Sequence, residues 1–371
     1  MSAKEVARKP YGAYVHIPFC KSKCSYCTFV STADLSLEQR YIAALVSEIE
    51  GSSLRGTFVD TIYIGGGTPS CLYRGALTAI FCALKNTFDI SNDVEITVEC
   101  NPESVSDCFI DECSENGVNR ISMGLQSSDN EVLRTIGRAH DFEKFISAIS
   151  LLKTRFENIS SDIILGLPKQ ERFDVLRSID VLKDFCTHIS VYALSVEDGT
   201  PLFRSGYAAD DDYIAELYDC AVERLNGYGF SRYEVSNFAK HGKRSRHNCK
   251  YWQCDPYIGF GVASHGYDGD SVRYFHSDSI SDYIKDTKPT FNELTPKDMY
   301  NEYVMLRLRT SDGIDLRKFT QRFGYSFKTK NADVLKSLER DGLIETDDNF
   351  VRIAPQCMFV MNGIIEQLML D

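Results

Sequence analysis

The sequence predicts an α/β fold: an incomplete (β/α)6 barrel followed by a smaller C-terminal α+β unit built of helices and a hairpin. Three observations predict it. Short apolar runs rich in β-branched and aromatic residues alternate with helix-length segments over roughly the first two hundred residues, which argues for a parallel sheet with right-handed crossovers. The units number about six, fewer than the eight of a closed barrel, and a partial barrel leaves a lateral opening suited to a bulky ligand. From about residue 295 the pattern becomes mainly helical and then folds back as a hairpin.

The strands are expected at 13–17, 61–64, 95–99, 120–124, 162–165 and 189–194, several of them ending in Gly or Pro. The clearest helix is 36–50, where Tyr41, Ile42, Leu45, Val46 and Ile49 share a face, Ser36 and Gln39 form a capping box and Gly51 is the stop. Residues 200–212 read as a loop, 213–228 as a helix ending at Gly229, and 233–238 as a further strand. A basic run follows, Lys240, Lys243, Arg244, Arg246 and Lys250, and then glycines and aromatics as far as Tyr267. Helices are expected at 298–308, 316–323 and 331–341, a hairpin over 343–353 around Asp347, Asp348 and Asn349, and a last helix after Pro355. Three helices and a hairpin are winged-helix-like, which does not by itself imply DNA, because charges in this segment nearly balance. The chain thus divides into a barrel over 1–235, a connecting region over 236–294 and a C-terminal unit over 295–371.

Composition narrows the function. With 371 residues, 43% hydrophobic and 25% charged, the chain is an ordinary globular protein larger than one average domain. Its 41 Lys and Arg against 53 Asp and Glu give a net charge of −12, which repels phosphate backbones, so no nucleic-acid partner is expected. No apolar run approaches the ~20 residues of a membrane span, which leaves at most peripheral membrane contact. Residues 1–10 lack the apolar core of a secretion signal, so a cytoplasmic protein is expected. In a reducing compartment its 13 cysteines are thiols or metal ligands. Eight of them (Cys71, Cys82, Cys100, Cys108, Cys113, Cys186, Cys220 and Cys357) follow no tight pattern and read as small buried apolar side chains.

Cys20, Cys24 and Cys27 are different. They stand as C-x3-C-x2-C directly after the first expected strand. Thiolates suit zinc and iron–sulfur clusters alike; a structural zinc closes with four ligands, so zinc needs a distant fourth Cys or His. Three thiolates on a loop leave one metal vertex open, the arrangement of a reactive site. The spacing resembles that of the radical SAM superfamily, in which the open iron of a [4Fe–4S] cluster chelates S-adenosylmethionine and an electron from the cluster cleaves its sulfonium to a 5′-deoxyadenosyl radical.

The likeness extends along the chain. Tyr14-Val-His-Ile-Pro-Phe-Cys20, Gly65-Gly-Gly-Thr-Pro-Ser70, Arg120-Ile-Ser-Met-Gly-Leu-Gln126 and Gly166-Leu-Pro168 resemble the oxygen-independent coproporphyrinogen oxidase group of radical SAM proteins. Tyr233-Glu-Val-Ser-Asn-Phe238 and His247-Asn-Cys-Lys-Tyr-Trp252 are similar to its haem-chaperone branch. The oxidases usually carry a further cysteine two positions after the last ligand, where this chain has Phe29, as is typical of the chaperone branch.

The resemblance implies a [4Fe–4S] cluster on Cys20, Cys24 and Cys27, and S-adenosylmethionine held by residues at strand ends. The glycines let backbone approach a ligand closely; by resemblance Gly66, Gly67 and Thr68 cradle the methionine end. Ligands of barrel-type sheets bind at the carboxyl ends of strands. Glu99, Gln126, Arg138 and Asp162 lie at or just beyond expected strand ends or on the following loop and resemble family contacts to the cofactor, with Glu99 on the ribose or amino group. Tyr26 is expected against the adenine, and Tyr14 to point towards the same mouth. His16 is either a further site residue or a hydrogen-bonded core histidine.

Haem iron accepts imidazole, its propionates need cations and its ring needs apolar walls. The run Lys243–Trp252 offers all three, so His247 or Cys249 is the expected haem ligand, with Arg244 or Arg246 on a propionate. Cys249 and Cys254 form a C-x4-C pair read as incidental. The expected function is haem trafficking: the chain binds haem and passes it to a haem-accepting respiratory protein, with an external electron donor for the cluster. The alternative is a true oxygen-independent coproporphyrinogen III oxidase. A radical enzyme acting on tRNA is disfavoured by the charge, and a zinc-stabilised binding module by the open vertex.

Overall fold

The computed structural model describes residues 9–370; most of the stretch 1–10 therefore lies outside the described residues. Six strands, β1 (Tyr11–Ile17), β2 (Phe58–Gly66), β3 (Asp89–Cys100), β4 (Arg120–Gln126), β5 (Ile159–Leu165) and β6 (His188–Ala193), stand side by side in chain order and pair parallel throughout. Helices α1 (Glu38–Glu50), α2 (Ala76–Thr87), α3 (Asp107–Glu115), α4 (Asn130–Thr135), α5 (Phe142–Lys153) and α6 (Arg172–Phe185) fill the crossovers. The strands read as near-continuous apolar runs because both faces are covered; all seven residues of β4 are buried. The expected partial barrel is present.

Local details depart from expectation. α1 buries Tyr41, Ile42, Leu45 and Ile49 as the periodicity predicts, but it starts at Glu38 with no side-chain cap. Ser36 sits instead in a 3-10 turn, where its amide donates to Asp34 Oδ1 at 2.9 Å, so the Ser36–Gln39 capping box is not formed. The loop over 200–212 contains one helical turn, α7 (Pro201–Arg204), before α8 (Asp211–Gly227). The strand expected over 233–238 is replaced by two short ones, β7 (Ser231–Arg232) and β8 (Asn237–Ala239). Between them the Glu234 carboxylate accepts from the Ser236 amide at 2.9 Å, a local bond that competes with a ladder.

Glu234 is fully buried, and burial pushes its pKa up from 4.5 to about 7. Hydrogen bonds from the Ser236 amide and from Asn237 oppose the rise, and Asn237 Oδ1 is a buried acceptor without a partner, to which a proton on the carboxyl can be given. A raised carboxyl stabilises the fold below its ordinary pKa and loses that contribution as pH climbs through about 7. The loss amounts to about 3 kcal/mol. Glu234→Gln carries a permanent donor and is expected to flatten the decline; urea titrations at pH 5 and pH 8 check it, and parallel curves for both proteins would refute it.

The region 236–294 is woven into the same sheet. After α9 (Arg246–Trp252) come β9 (Tyr257–Phe260), β10 (His265–Tyr267), β11 (Val272–Phe275), α10 (Ile280–Lys285) and β12 (Thr290–Glu293). β9 pairs parallel with β1, Gly12 opposite Tyr257, while β10 to β12 extend that edge antiparallel and β8 pairs antiparallel with β6 at the other. The sheet therefore has 12 strands in the order β12-β11-β10-β9-β1-β2-β3-β4-β5-β6-β8-β7. β9 escapes a periodicity reading because its four residues are all buried and show no alternation.

The C-terminal unit comprises α11 (Pro296–Leu308), β13 (Ile314–Asp315), α12 (Leu316–Phe323), α13 (Phe327–Lys330), α14 (Ala332–Arg340), β14 (Ile344–Thr346), β15 (Phe350–Ile353) and α15 (Met361–Glu366). Its three-stranded sheet runs β13-β15-β14, with the hairpin where it was expected. Tyr300, Tyr303, Phe319 and Phe327 pack edge-on or tilted at its centre. Of the scattered cysteines, Cys100, Cys113, Cys186 and Cys357 are buried and Cys71 and Cys220 partly so. Cys82 and Cys108 are exposed, against expectation, because they fall on the outer faces of α2 and α3.

Candidate functional site

A cavity of about 360 Å³ opens at the carboxyl ends of the parallel strands. Cys20, Cys24 and Cys27 line one wall, and Tyr26, Gly66, Gly67, Thr68, Glu99, Gln126, Arg138 and Asp162 contribute to the rest. The residues come from the loops or ends of five different strands, which is how a parallel sheet concentrates polar groups at one mouth.

The glycine turn after β2 is dictated by what surrounds it. Gly66 has φ +105°, and a Cβ there would lie 2.3 Å from the His16 ring. At Gly67 a Cβ would lie 2.7 Å from both the Ile17 and Phe19 carbonyl oxygens. The Gly67 amide donates to Ile17 O and the Thr68 amide to Phe19 O, each at 2.7 Å, so the turn is stitched to the chain entering the cysteine loop. Thr68 Oγ1 then donates to Cys20 Sγ at 3.4 Å.

Glu99 is held from two sides: Oε1 accepts from Tyr63 Oη at 2.6 Å and Oε2 from the Gly66 amide at 2.9 Å. Burial raises its pKa, and these two bonds oppose the rise. Burial also raises Asp162, opposed by Ser190, Arg120 and Arg138. Arg138 Nη1 reaches Cys24 Sγ at 3.5 Å, while Nη2 donates to Asn101 Oδ1 at 2.7 Å and Gly124 O at 3.2 Å. Arg138 Nε and Gln126 Oε1 are buried without partners, and Gln126 has φ +70° in a non-glycine residue. Unpaired polar atoms and a strained backbone at one mouth mark a place built to receive a polar ligand.

The donor set fits a cluster better than a single ion. Zinc requires four donors within about 2.3 Å of one point. Among the described residues no three His, Cys, Asp or Glu side chains converge in that way. An iron–sulfur cluster takes each cysteine on a separate iron, and Cys20, Cys24 and Cys27 offer three thiols to one cavity. Burial pushes the Cys20 and Cys27 thiols up, with the Thr68 hydroxyl opposing this at Cys20.

Two expected site residues lie elsewhere. Tyr14 does not line the cavity; its hydroxyl bonds His16 Nδ1 at 3.0 Å, one layer below the mouth. His16 Nε2 bonds Val30 O at 2.9 Å, and because a carbonyl only accepts, the proton sits on Nε2 and Nδ1 accepts from Tyr14. His16 is thus a hydrogen-bonded core histidine. His247 lies on α9, packed against the other ends of the strands and fully buried. Its Nδ1 bonds Thr61 Oγ1 at 2.9 Å, its Nε2 bonds Tyr251 Oη at 2.8 Å, and burial pushes its pKa down to about 3. Both ring nitrogens are engaged, so haem ligation at His247 is not carried forward. The neighbouring cations are paired too: Arg244 with Asp312, Arg246 with Asp60 and Asp93, Lys250 with Asp60.

Sequence reasoning missed Asn101, Tyr192 and Leu194, all on the cavity wall. Asn101 follows Glu99 at the end of β3 and was reachable by the same strand-end rule.

Comparison with known proteins agrees with this architecture. Residues 14–182 match the radical SAM superfamily and residues 294–360 the HemN C-terminal domain. The fold is similar to that of coproporphyrinogen III oxidase (HemN) from Escherichia coli, with a TM-score of 0.84 over 97% of this chain and 90% of that one at 21% identity. The chain is 33% identical to the heme chaperone HemW of Bacillus subtilis, over 95% of this chain and 97% of that protein. It is 32% identical to the heme chaperone HemW of Lactococcus lactis, over 98% of each. A cysteine loop, a glycine turn and polar strand ends in one radical SAM mouth, with full-length identity of this order, establish that the chain belongs to the heme chaperone HemW family.

Proposed function

We propose that this chain carries a [4Fe–4S] cluster on Cys20, Cys24 and Cys27, binds S-adenosylmethionine beside it, and delivers haem to haem-dependent respiratory proteins. The observation that carries the reading is the single cavity in which three thiols meet Gly66, Gly67, Thr68, Glu99, Gln126, Arg138 and Asp162. When bound, the cluster supplies the electron that cleaves the sulfonium. The protein's own residues position the ligand: the Gly66–Thr68 turn leaves room for the methionine end, and Tyr26 offers an aromatic face for the adenine. Glu99 and Asp162 present acceptors to ribose hydroxyls or the amino group, and Arg138 a cation to the carboxylate. The haem cargo is supported by the name of the relatives. No helix among the described residues is long and apolar enough to cross a membrane.

Anaerobic reconstitution is expected to give about four irons and four sulfides per chain. Cys24→Ala abolishes that loading, while haem titration of the wild type gives a saturable Soret band. Zinc in place of iron, or no haem binding, would overturn the proposal. Turnover of coproporphyrinogen to protoporphyrinogen beyond one equivalent would replace the chaperone by an oxidase.

A further inference from the structure

The side chain of Asn101 joins two of the hydrogen-bond donors that act on the cysteine sulfurs; the Ser31 hydroxyl also acts on Cys20 and the Phe29 backbone on Cys27. Asn101 Nδ2 donates to Thr68 Oγ1 at 2.8 Å, and its Oδ1 accepts from Arg138 Nη2 at 2.7 Å. Thr68 Oγ1 in turn faces Cys20 Sγ at 3.4 Å, and Arg138 Nη1 faces Cys24 Sγ at 3.5 Å. The direction of this chain is fixed by chemistry. A guanidinium has no acceptor, so the amide must turn its oxygen to Arg138 and its NH2 to Thr68. With that donor on its oxygen, the Thr68 hydroxyl is oriented to spend its own proton on Cys20. The backbone of Asn101 is held as well: its amide donates to Ser70 Oγ at 3.3 Å, its carbonyl accepts from Ser104 Oγ at 3.0 Å, and the two hydroxyls bond each other at 2.6 Å.

We infer that Asn101 is a positioning residue that sets the reduction potential of the cluster, by aiming the Thr68 hydroxyl at Cys20 and the Arg138 guanidinium at Cys24. Hydrogen bonds to cluster sulfurs are one of the terms that fix such potentials. One electron from an external reductant adds negative charge to cluster and thiolates, and donors aimed at sulfur favour that more negative state. Removing them makes the cluster harder to reduce. The inference rests on the cluster assignment proposed above.

Asn101→Asp tests it with almost no change of shape. A carboxylate still accepts from Arg138 but cannot donate to Thr68, so the hydroxyl turns its proton from Cys20 to the new oxygen. Asn101→Leu removes both links without adding charge, and Thr68→Val removes one donor alone. The readout is the midpoint potential of the reconstituted cluster without S-adenosylmethionine, titrated with dithionite and followed by electron paramagnetic resonance. At the wild-type midpoint, the reduced-to-oxidised ratio is expected to fall about tenfold in Asn101→Leu, the size of one charge-assisted hydrogen bond. In Thr68→Val it should fall by less, and Asn101→Asp should shift the ratio less in a Thr68→Val background than in the wild type.

An unchanged potential in both Asn101 variants at full iron content would overturn the inference and leave the proposed function standing. So would an Asn101→Asp shift of the same size with and without Thr68, which would assign the effect to added charge. Loss of iron from both variants with intact circular dichroism would make Asn101 an assembly residue instead, and wild-type protein devoid of cluster would sink the proposed function itself.

Discussion

Replacing Arg120 by methionine is expected to cost about 3–5 kcal/mol of stability at pH 8, the penalty for leaving buried charge without its counter-charge. Arg120 is only 2% exposed at the start of β4, and its charge opposes the burial-driven rise of both Glu99 and Asp162. Its one hydrogen-bond partner among the described residues is Thr97 Oγ1 at 3.4 Å, and its Nε has none, so the residue acts mainly through charge. The pH dependence has a definite sign. Both carboxyls are raised in the folded state, so their unfavourable contribution is absent below the ordinary carboxyl pKa and develops as pH rises through the folded values. Losing Arg120 raises them further, which enlarges the deficit at pH 8 and shrinks it at pH 4. Urea unfolding at the two pH values measures this, and an equal deficit at both would show that packing, not charge, is what the substitution removes.

Gly67→Ala is expected to cost about 1–3 kcal/mol and to lower cluster loading, because the added carbon has nowhere to go. The atoms it would meet at 2.7 Å are backbone carbonyls of Ile17 and Phe19, not the ends of flexible side chains. Relief requires lengthening the amide bonds that tie the glycine turn to the chain entering the cysteine loop. Cys20 follows Phe19 directly, so the strain is delivered to the first ligand. Iron content per chain and melting temperature should fall together; a lower melting temperature with full iron would mean that the turn and the cysteine loop are mechanically independent.

What could be read from sequence follows how far apart the deciding residues lie. β1 to β6 were legible because a strand covered on both faces announces itself as an apolar run. The cysteine triplet is local; Glu99 and Gln126 stand at the carboxyl ends of β3 and β4, a recognisable position in a parallel sheet, whereas Asp162 lies in the middle of β5 and was singled out by the family resemblance. How deep Tyr14 sits depends on the pairing register of β1 with β2, which no local pattern records. The surroundings of His247 and the basic run were not legible for a related reason. Thr61, Asp60, Asp93 and Asp312 lie far away in the chain, so the pairing of His247, Arg244, Arg246 and Lys250 with them is decided by tertiary contacts. Asn101 was within reach of the strand-end rule, but the two bonds that give it significance, to Thr68 and Arg138, are tertiary and leave no local pattern.

The pairing of β9 with β1 has a temporal side. Gly12 leaves the ribosome long before its neighbour Tyr257, 245 residues downstream. At synthesis rates of about 5–20 residues per second, the outer edge of β1 waits roughly 10–50 s for its partner. Throughout that interval the nascent chain presents an unpaired edge of β1 beside the cysteine loop; under the proposed function, cluster insertion and the end of translation compete on the same clock.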